Sequence, residues 1–164
     1  MALHFTLLDA RQHDRDGFSC GEPSLDAYLR EQAGQHQRDG IATTHVLIDD
    51  ADVARILGYC SLAAAQLNLL DLQPADRKRL PSYPPPAVRI GRLAVSRDGQ
   101  GSGYGRLLLG HAVNCSLQLC ERLGVRVLLV DALHDRAAAF YRDYAFRDTT
   151  TEHVRSLYLP LGKS

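Results

Sequence analysis

Between Val88 and Leu123 the sequence carries its strongest hint of chemistry. It reads as a strand, Val88-Arg89-Ile90-Gly91-Arg92-Leu93-Ala94-Val95, then a glycine turn, Gln100-Gly101-Ser102-Gly103-Tyr104-Gly105-Arg106, then a long apolar-striped helix from Leu107. Glycines at alternate positions keep β-carbons out of the way. Consecutive N–H groups can then close on an anion at a helix N-terminus, where the dipole already favours negative charge. The ligand implied bears phosphate. A P-loop would need Lys and then Ser or Thr after its last glycine, whereas Gly105 is followed by Arg106-Leu107. A dinucleotide fingerprint would need G-x-G-x-x-G and an acidic residue on a second strand, whereas this chain has G-x-G-x-G and Glu121 still lies in the helix. With Gln100 included, the pattern is Q-x-x-G-x-G.

Downstream, Val125 to Val130 suits a buried strand, and a short helix beginning near Arg136 ends in Phe140-Tyr141-Arg142-Asp143-Tyr144-Ala145-Phe146. The glycine turn resembles the coenzyme A pyrophosphate loop of the GNAT superfamily of N-acetyltransferases, and the second segment resembles that family's F-Y-x-x-x-G-F motif. A narrower resemblance runs from Phe18 to Phe146, through Phe18-Ser19-Cys20-Gly21, Leu25-Asp26-Ala27-Tyr28-Leu29, Gly58-Tyr59-Cys60-Ser61-Leu62, Leu80 to Pro86, Gly91 to Val95 and Leu129-Val130-Asp131-Ala132. These segments look like the acetyltransferase toxins of toxin–antitoxin modules, which acetylate the amino acid on a charged tRNA.

The resemblance implies acetyl-CoA as cofactor, with Leu93, Ala94, Val95, Gln100, Gly101, Ser102, Gly103, Tyr104, Gly105 and Arg106 binding it. It implies Tyr141 as the acid beside the sulfur, an oxyanion held by backbone N–H groups around Leu93 to Val95, an aminoacyl-tRNA substrate, a DNA-binding antitoxin and a homodimer. The sequence departs from the pattern twice. Ala145 stands where many members have glycine, and His134 stands where the wider superfamily often has Asn at the start of the short helix.

The chemistry asks little of a base. An α-amine has a reference pKa of about 7.7–8, against about 10.4 for lysine, so a substantial fraction is neutral at pH 7. Many GNAT enzymes acting on lysine carry a glutamate on the strand before the phosphate loop; Arg89 and Arg92 occupy this one. That favours an aminoacyl ester over lysine. Asp131 and Asp135 read as structural or solvent-facing. A phenol near pKa ~10 can protonate a leaving thiolate of conjugate pKa ~8.5 at a cost of about 2 kcal/mol, which hydrogen bonding can offset. Tyr144 is the competing phenol. A small amine or protein N-terminus as acceptor, or a coenzyme A-binding module without turnover, also fits the motifs.

At 164 residues and 45% hydrophobic content the chain is expected to form one domain, residues 1–164. No stretch approaches the roughly 20 apolar residues that span a bilayer, and the first residues lack a charged leader, so a cytoplasmic protein is expected. The four cysteines form no C-x-x-C pair and read as thiols in a reducing compartment. The seven histidines show no H-E-x-x-H and no ligand-like cluster, so no metal is expected. Net charge is zero, but Arg77, Lys78, Arg79, Arg89, Arg92 and Arg97 follow one another without an intervening acid. Five of them, Arg77, Lys78, Arg79, Arg89 and Arg92, are the expected tRNA contacts.

Around these sites the pattern predicts strands at His4–Leu8, Thr44–Ile48, Ile56–Ala65 and Val154–Leu159, a helix capped by Ser24, and one helical turn near Ala75–Arg79. The fold class is α/β (α+β), a mixed sheet between flanking helices. In the GNAT fold that sheet splays into a V.

Overall fold

The structure, a computed structural model, describes residues 2–78, 80–150 and 155–162. It forms two compact units, Met1–Ala63 with Gly91–Ala112, and Ala64–Ile90 with Val113–Ser164. The elements in chain order are β1 (Leu3–Leu7), α1 (Pro23–Glu31), α2 (Ala33–Arg38), β2 (Thr43–Asp49), β3 (Gly58–Gln66), α3 (Pro74–Arg77), β4 (Pro86–Val95), α4 (Tyr104–Cys120), β5 (Val127–Asp131), α5 (Asp135–Asp143), β6 (Arg147–Asp148) and β7 (Ser156–Pro160). Strand β4 and helix α4 contribute residues to both units.

In the first unit the strand order is β1-β2-β3-β4. β1 pairs antiparallel with β2 from Leu3↔Asp49 to Leu7↔His45, and β2 with β3 from Thr43↔Leu62 to Leu47↔Gly58. Alternation along the strands feeds two separate cores, because successive side chains point to opposite faces. Val46, Ile48 and Tyr59 join Phe18, Tyr28, Leu29 and Ala33 of the α1–α2 side. Leu47 and Cys60 join Leu108 of α4, with Phe5, Leu93, Val95 and Tyr104 packed against them. Each fully buried Leu or Ile contributes about 1.5–3 kcal/mol, so covering both faces is what holds β2 and β3 in register.

In the second unit the order is β4-β5-β7-β6. β4 runs parallel to β5 from Ala87↔Val127 to Ile90↔Val130, and β5 is antiparallel to β7 from Val127↔Pro160 to Asp131↔Ser156. β4 itself continues to Val95 beyond its last register pair with β5. The core here gathers Leu67, Leu72, Ala87, Val127, Leu129 and Tyr158. The Tyr158 hydroxyl donates to Asp76 (2.5 Å) and accepts from the Gln73 N–H (2.9 Å). It thereby ties the segment carrying α3 to β7.

The mixed sheet agrees with the expected class, and local details differ. Helix α1 starts with Pro23 at its first position and Glu22 as N-cap, so Ser24 lies inside the helix and caps nothing. Proline's fixed φ suits that first position and sets the boundary. α2 and the short β6 were not foreseen. α4 begins at Tyr104 rather than Leu107. Val154 of the expected last strand lies outside the described residues.

Candidate active site

The glycine turn gains its shape from a stub of 3-10 helix, Arg97–Gly99, which follows β4. Two backbone bonds within the turn, Gln100 N–H to Arg97 C=O (3.3 Å) and Ser102 N–H to Gly99 C=O (3.1 Å), use up those amides internally. Gly101 (φ 88°) and Gly103 (φ 85°) are left-handed, a conformation an L side chain enters only at a cost of about 1–2 kcal/mol. A β-carbon built on either would meet nothing within 4 Å. The requirement for glycine is therefore conformational, and the space above the turn is open. The first α4-type bond runs from Leu107 N–H to Gly103 C=O (3.2 Å). The amides from Gly103 to Arg106 precede it, at the end of a 17-residue helix whose dipole favours an anion. This cradle fits a pyrophosphate.

The other residues expected there divide in role. Gln100 does not reach outward through its amide: its Nε2 donates to the carbonyls of Cys20 (2.8 Å) and Val95 (3.1 Å), fastening the turn to the end of β4. Tyr104 packs into the core beside Leu47 and Leu108. Ser102 and Arg106 are exposed. Ala94 is buried, while Leu93 and Val95 are half-buried on either side of it.

Tyr141 lies on α5, which His134 opens: its Nδ1 accepts from the Ala137 N–H at 3.1 Å. Histidine thus performs the capping that the more usual Asn would. At the other end Ala145 adopts φ 72°, its N–H bonds the Arg142 carbonyl (3.1 Å), and the Phe146 N–H bonds the Tyr141 carbonyl (3.2 Å). This is a Schellman cap, usually closed by glycine. The backbone keeps the left-handed turn with alanine in the glycine position. The cap also returns Phe146 onto Tyr141, ring centroids 5.3 Å apart, while Phe140 meets the same ring edge-on at 5.2 Å. Tyr141 is 5% exposed and Tyr144 40%; the second ring touches Phe140 edge-on at 5.1 Å but only the first is enclosed. The sequence pattern does not by itself assign Phe146 this positioning role, although an aromatic three residues past the last helical residue, Asp143, is a visible signal.

The basic run is partly neutralised by acids distant in sequence. Arg89 forms an ion pair with Asp131, and Asp135 lies 3.8 Å from Arg155. Both acids are therefore ion-paired, as the sequence suggested for structural groups. The Arg92 guanidinium sits 3.6 Å above the ring of Tyr28, whose hydroxyl is 3.0 Å from His36 Nδ1. Such a stack fixes the direction of the guanidinium. No sequence pattern pairs residues so far apart. Arg77 is half-buried and Lys78 exposed, and Arg79 lies outside the described residues.

The histidines correct the expectation that they form no cluster. His45 on β2 and His111 on α4 meet at 2.9 Å between Nδ1 and Nε2.

Comparison with known proteins agrees with this geometry. Residues 40–148 match the family model described as an acetyltransferase (GNAT) domain. The chain is 36% identical over 146 residues, 89% of its length and 86% of the relative's, to a tRNA-acetylating toxin of Mycobacterium tuberculosis (strain ATCC 25618 / H37Rv). Among solved structures, it superposes on a tyrosine-to-phenylalanine mutant of KacT with a TM-score of 0.91 at 29% identity, covering 98% of this chain and 96% of that one. It matches AtaT complexed with acetyl-methionyl-tRNAfMet equally well, TM-score 0.91 at 28% identity over 97% and 95% of the two chains. A third neighbour, AtaTR, is bound with acetyl-CoA (TM-score 0.82, 28% identity, 97% and 93% covered). A mixed sheet, a glycine turn at a helix start and a buried tyrosine near a second helix end agree with the acyltransferase class that these matches show. The chain belongs to the GNAT acetyltransferase family, and acetyl-CoA is its acetyl donor.

Proposed function

We propose that this protein transfers an acetyl group from acetyl-CoA to the α-amine of an aminoacyl-tRNA and so acts as the translation-inhibiting toxin of a toxin–antitoxin pair. The observation that carries this reading is the near full-length similarity to the tRNA-acetylating toxin, supported by the AtaT structure with acetyl-methionyl-tRNAfMet. KacT and AtaT are also seen with antitoxin and DNA, which supports a cognate DNA-binding antitoxin here. We read residues 1–164 as one acetyltransferase domain that works as a homodimer in the cytoplasm. No helix among the described residues is long and apolar enough to cross a membrane.

Each residue has a task in this scheme. The amides from Gly103 to Arg106 hold the pyrophosphate, with Gly101 and Ser102 lining the turn and Gln100 and Tyr104 keeping its shape. Backbone N–H groups around Leu93 to Val95 stabilise the oxyanion. Tyr141 gives its hydroxyl proton to the departing thiolate. No carboxylate is needed on β4, because the acceptor α-amine is already substantially neutral near pH 7. Arg77, Lys78, Arg79, Arg89 and Arg92 meet tRNA phosphates, with Arg92 aimed by Tyr28.

The test is incubation with labelled acetyl-CoA and a mixture of charged and uncharged tRNA. Label is expected on the amino acid of charged tRNA alone, at a rate that falls with salt, each phosphate contact adding about 0.7–0.9 to the log–log slope. Equal labelling of a free amino acid and its tRNA ester would replace this reading with small-amine acetylation.

A further inference from the structure

Two adjoining hollows open beside the turn between β2 and β3, both lined wholly by residues of the first unit. The smaller, of about 260 Å³, sets Asp49, Asp52 and Asp98 against the single guanidinium of Arg55, with Ser96 and Tyr104 in its wall. The larger, of about 410 Å³, shares Asp52, Arg55, Ser96 and Asp98 with it. Three carboxylates repel phosphate, so the smaller hollow is no extension of the glycine turn.

Arg55 pairs with Asp98 at 2.9 Å, which leaves two carboxylates unbalanced. Asp49 spends Oδ1 on the N–H groups of Ala51 (3.0 Å) and Ala2 (3.4 Å), and its Oδ2 has no partner among the described residues. The Asp52 carboxylate has none there either. A second, independent feature is Ser96, which is 8% exposed and whose hydroxyl is buried without a partner. Its backbone is fixed by bonds from its N–H to the Leu57 carbonyl (2.9 Å) and from the Gly99 N–H to its own carbonyl (3.0 Å). A β-carbon built on Gly99 would lie 3.3 Å from Ser96 Oγ and 2.7 Å from the Tyr104 ring, so hydroxyl and ring converge where glycine leaves room. A buried hydroxyl left unpaired is costly, and a ligand N–H would relieve it.

We propose that the smaller hollow binds the guanidinium of an arginine side chain presented by a partner polypeptide, whose adjoining main chain lies in the larger hollow.

Charge and donor count select this group. A guanidinium has five N–H donors and no acceptor, and its planar fork matches carboxylate oxygens. Asp49 Oδ2 and Asp52 supply acceptors, Ser96 Oγ supplies another, and the Tyr104 ring offers a face to a cation. Size argues for one side chain rather than a whole small molecule, whose pockets span about 300–1,000 Å³. Arginine is also among the residues that most often anchor a partner in an enclosed pocket. The acetyl-transfer scheme gives Asp49, Asp52 and Ser96 no task, so this inference does not rest on it.

The experiment follows backbone amides of the full-length protein by NMR during titration with acetyl-arginine methylamide. Saturable shifts are expected at Asp52, Ser96 and Gly99. The citrulline counterpart, of the same shape without the charge, should bind at least about tenfold more weakly, and Asp52→Asn should weaken the arginine probe by about tenfold. Ser96→Ala should weaken it by about 3–10-fold without lowering the thermal stability of the free protein, because an unpartnered hydroxyl contributes nothing to the fold. Absence of saturable shifts, equal binding of citrulline, or a Ser96→Ala variant that loses stability would overturn the proposal. Ethylguanidinium binding as tightly as the capped arginine would give the hollow to a free small cation instead, and displacement of the probe by coenzyme A would make it part of the cofactor site; either result overturns it. The titration of the unsubstituted protein stands even if a variant fails to fold.

Discussion

The turn at Gln100–Tyr104 and the turn at Tyr144–Phe146 both reverse the chain through left-handed backbone, and they use it for opposite ends. At the first, Gly101 and Gly103 clear side chains from a set of amides, so that backbone rather than side chain faces the open space. At the second, Ala145 accepts an unfavourable φ of 72° so that Phe146 folds back onto Tyr141, and the backbone serves only to aim a side chain. Left-handed backbone thus serves two different ends in one chain. What distinguishes them is what lies beyond the turn: a helix N-terminus in one case, a helix C-terminus with an aromatic return in the other.

The comparison breaks most sharply at Tyr141. Phenylalanine keeps the ring between Phe140 and Phe146 and removes only the hydroxyl, so Tyr141→Phe should bind acetyl-CoA normally and lose about 10²–10⁴-fold in single-turnover acetylation. Tyr144→Phe, at an exposed ring, should change the rate little. Undiminished single-turnover acetylation by Tyr141→Phe would remove its assigned role.

The glycine turn should respond the other way, in binding rather than chemistry. Gly103→Glu forces a side chain into left-handed backbone, at about 1–2 kcal/mol, and sets a carboxylate among amides that await phosphate. Calorimetry on the folded variant should show coenzyme A affinity falling by at least about tenfold, since each 1.4 kcal/mol is a factor of ten. Unchanged affinity would move the pyrophosphate elsewhere.

How far these two turns could be read from sequence differs for a physical reason. Glycine spacing, a capping position and the alternation of Val46, Leu47 and Ile48 are local, and local pattern is what a sequence displays. The succession of most strands and helices, the glycine turn and the short helix carrying Tyr141 were therefore legible, along with the departure at Ala145. Contacts that depend on distant pairing were not. Asp131 across from Arg89, Tyr28 beneath Arg92 and His45 beside His111 join residues separated by at least 42 positions. The basic run looked more uniform in sequence than it is in the fold.

The region after the second turn carries its own titration. Burial alone would raise the Asp76 pKa, but hydrogen bonds from Arg147 and Tyr158 outweigh it and hold the carboxyl below its ordinary value. A depressed carboxylate stabilises the fold above the unfolded pKa of about 3.9 and loses that contribution as pH falls below it. Arg147 directly follows Phe146, so thermal stability should decline below about pH 4. Asp76→Asn should flatten that limb of the profile. An acid limb unchanged by this substitution would show that other carboxylates govern it.

The smallest effect tests the comparison most directly, because it exchanges the residue types of the two turns. Alanine in left-handed backbone costs about 1–2 kcal/mol, which glycine would relieve. Glycine gives back about 0.4–1 kcal/mol through the greater freedom of the unfolded chain. The Ala145 methyl is exposed, so its removal costs little packing. Ala145→Gly should therefore stabilise the protein by about 0.5–1 kcal/mol in urea denaturation, with single-turnover rate unchanged because the bonds that return Phe146 to Tyr141 persist. Gly103→Ala reverses both quantities and should destabilise by about 0.5–1 kcal/mol. If Ala145→Gly lowers the acetylation rate while raising stability, the strain at Ala145 is itself part of how Tyr141 is held. If it lowers stability, the turn is not the strained element its φ indicates, and the likeness between the two turns ends at their dihedral angles.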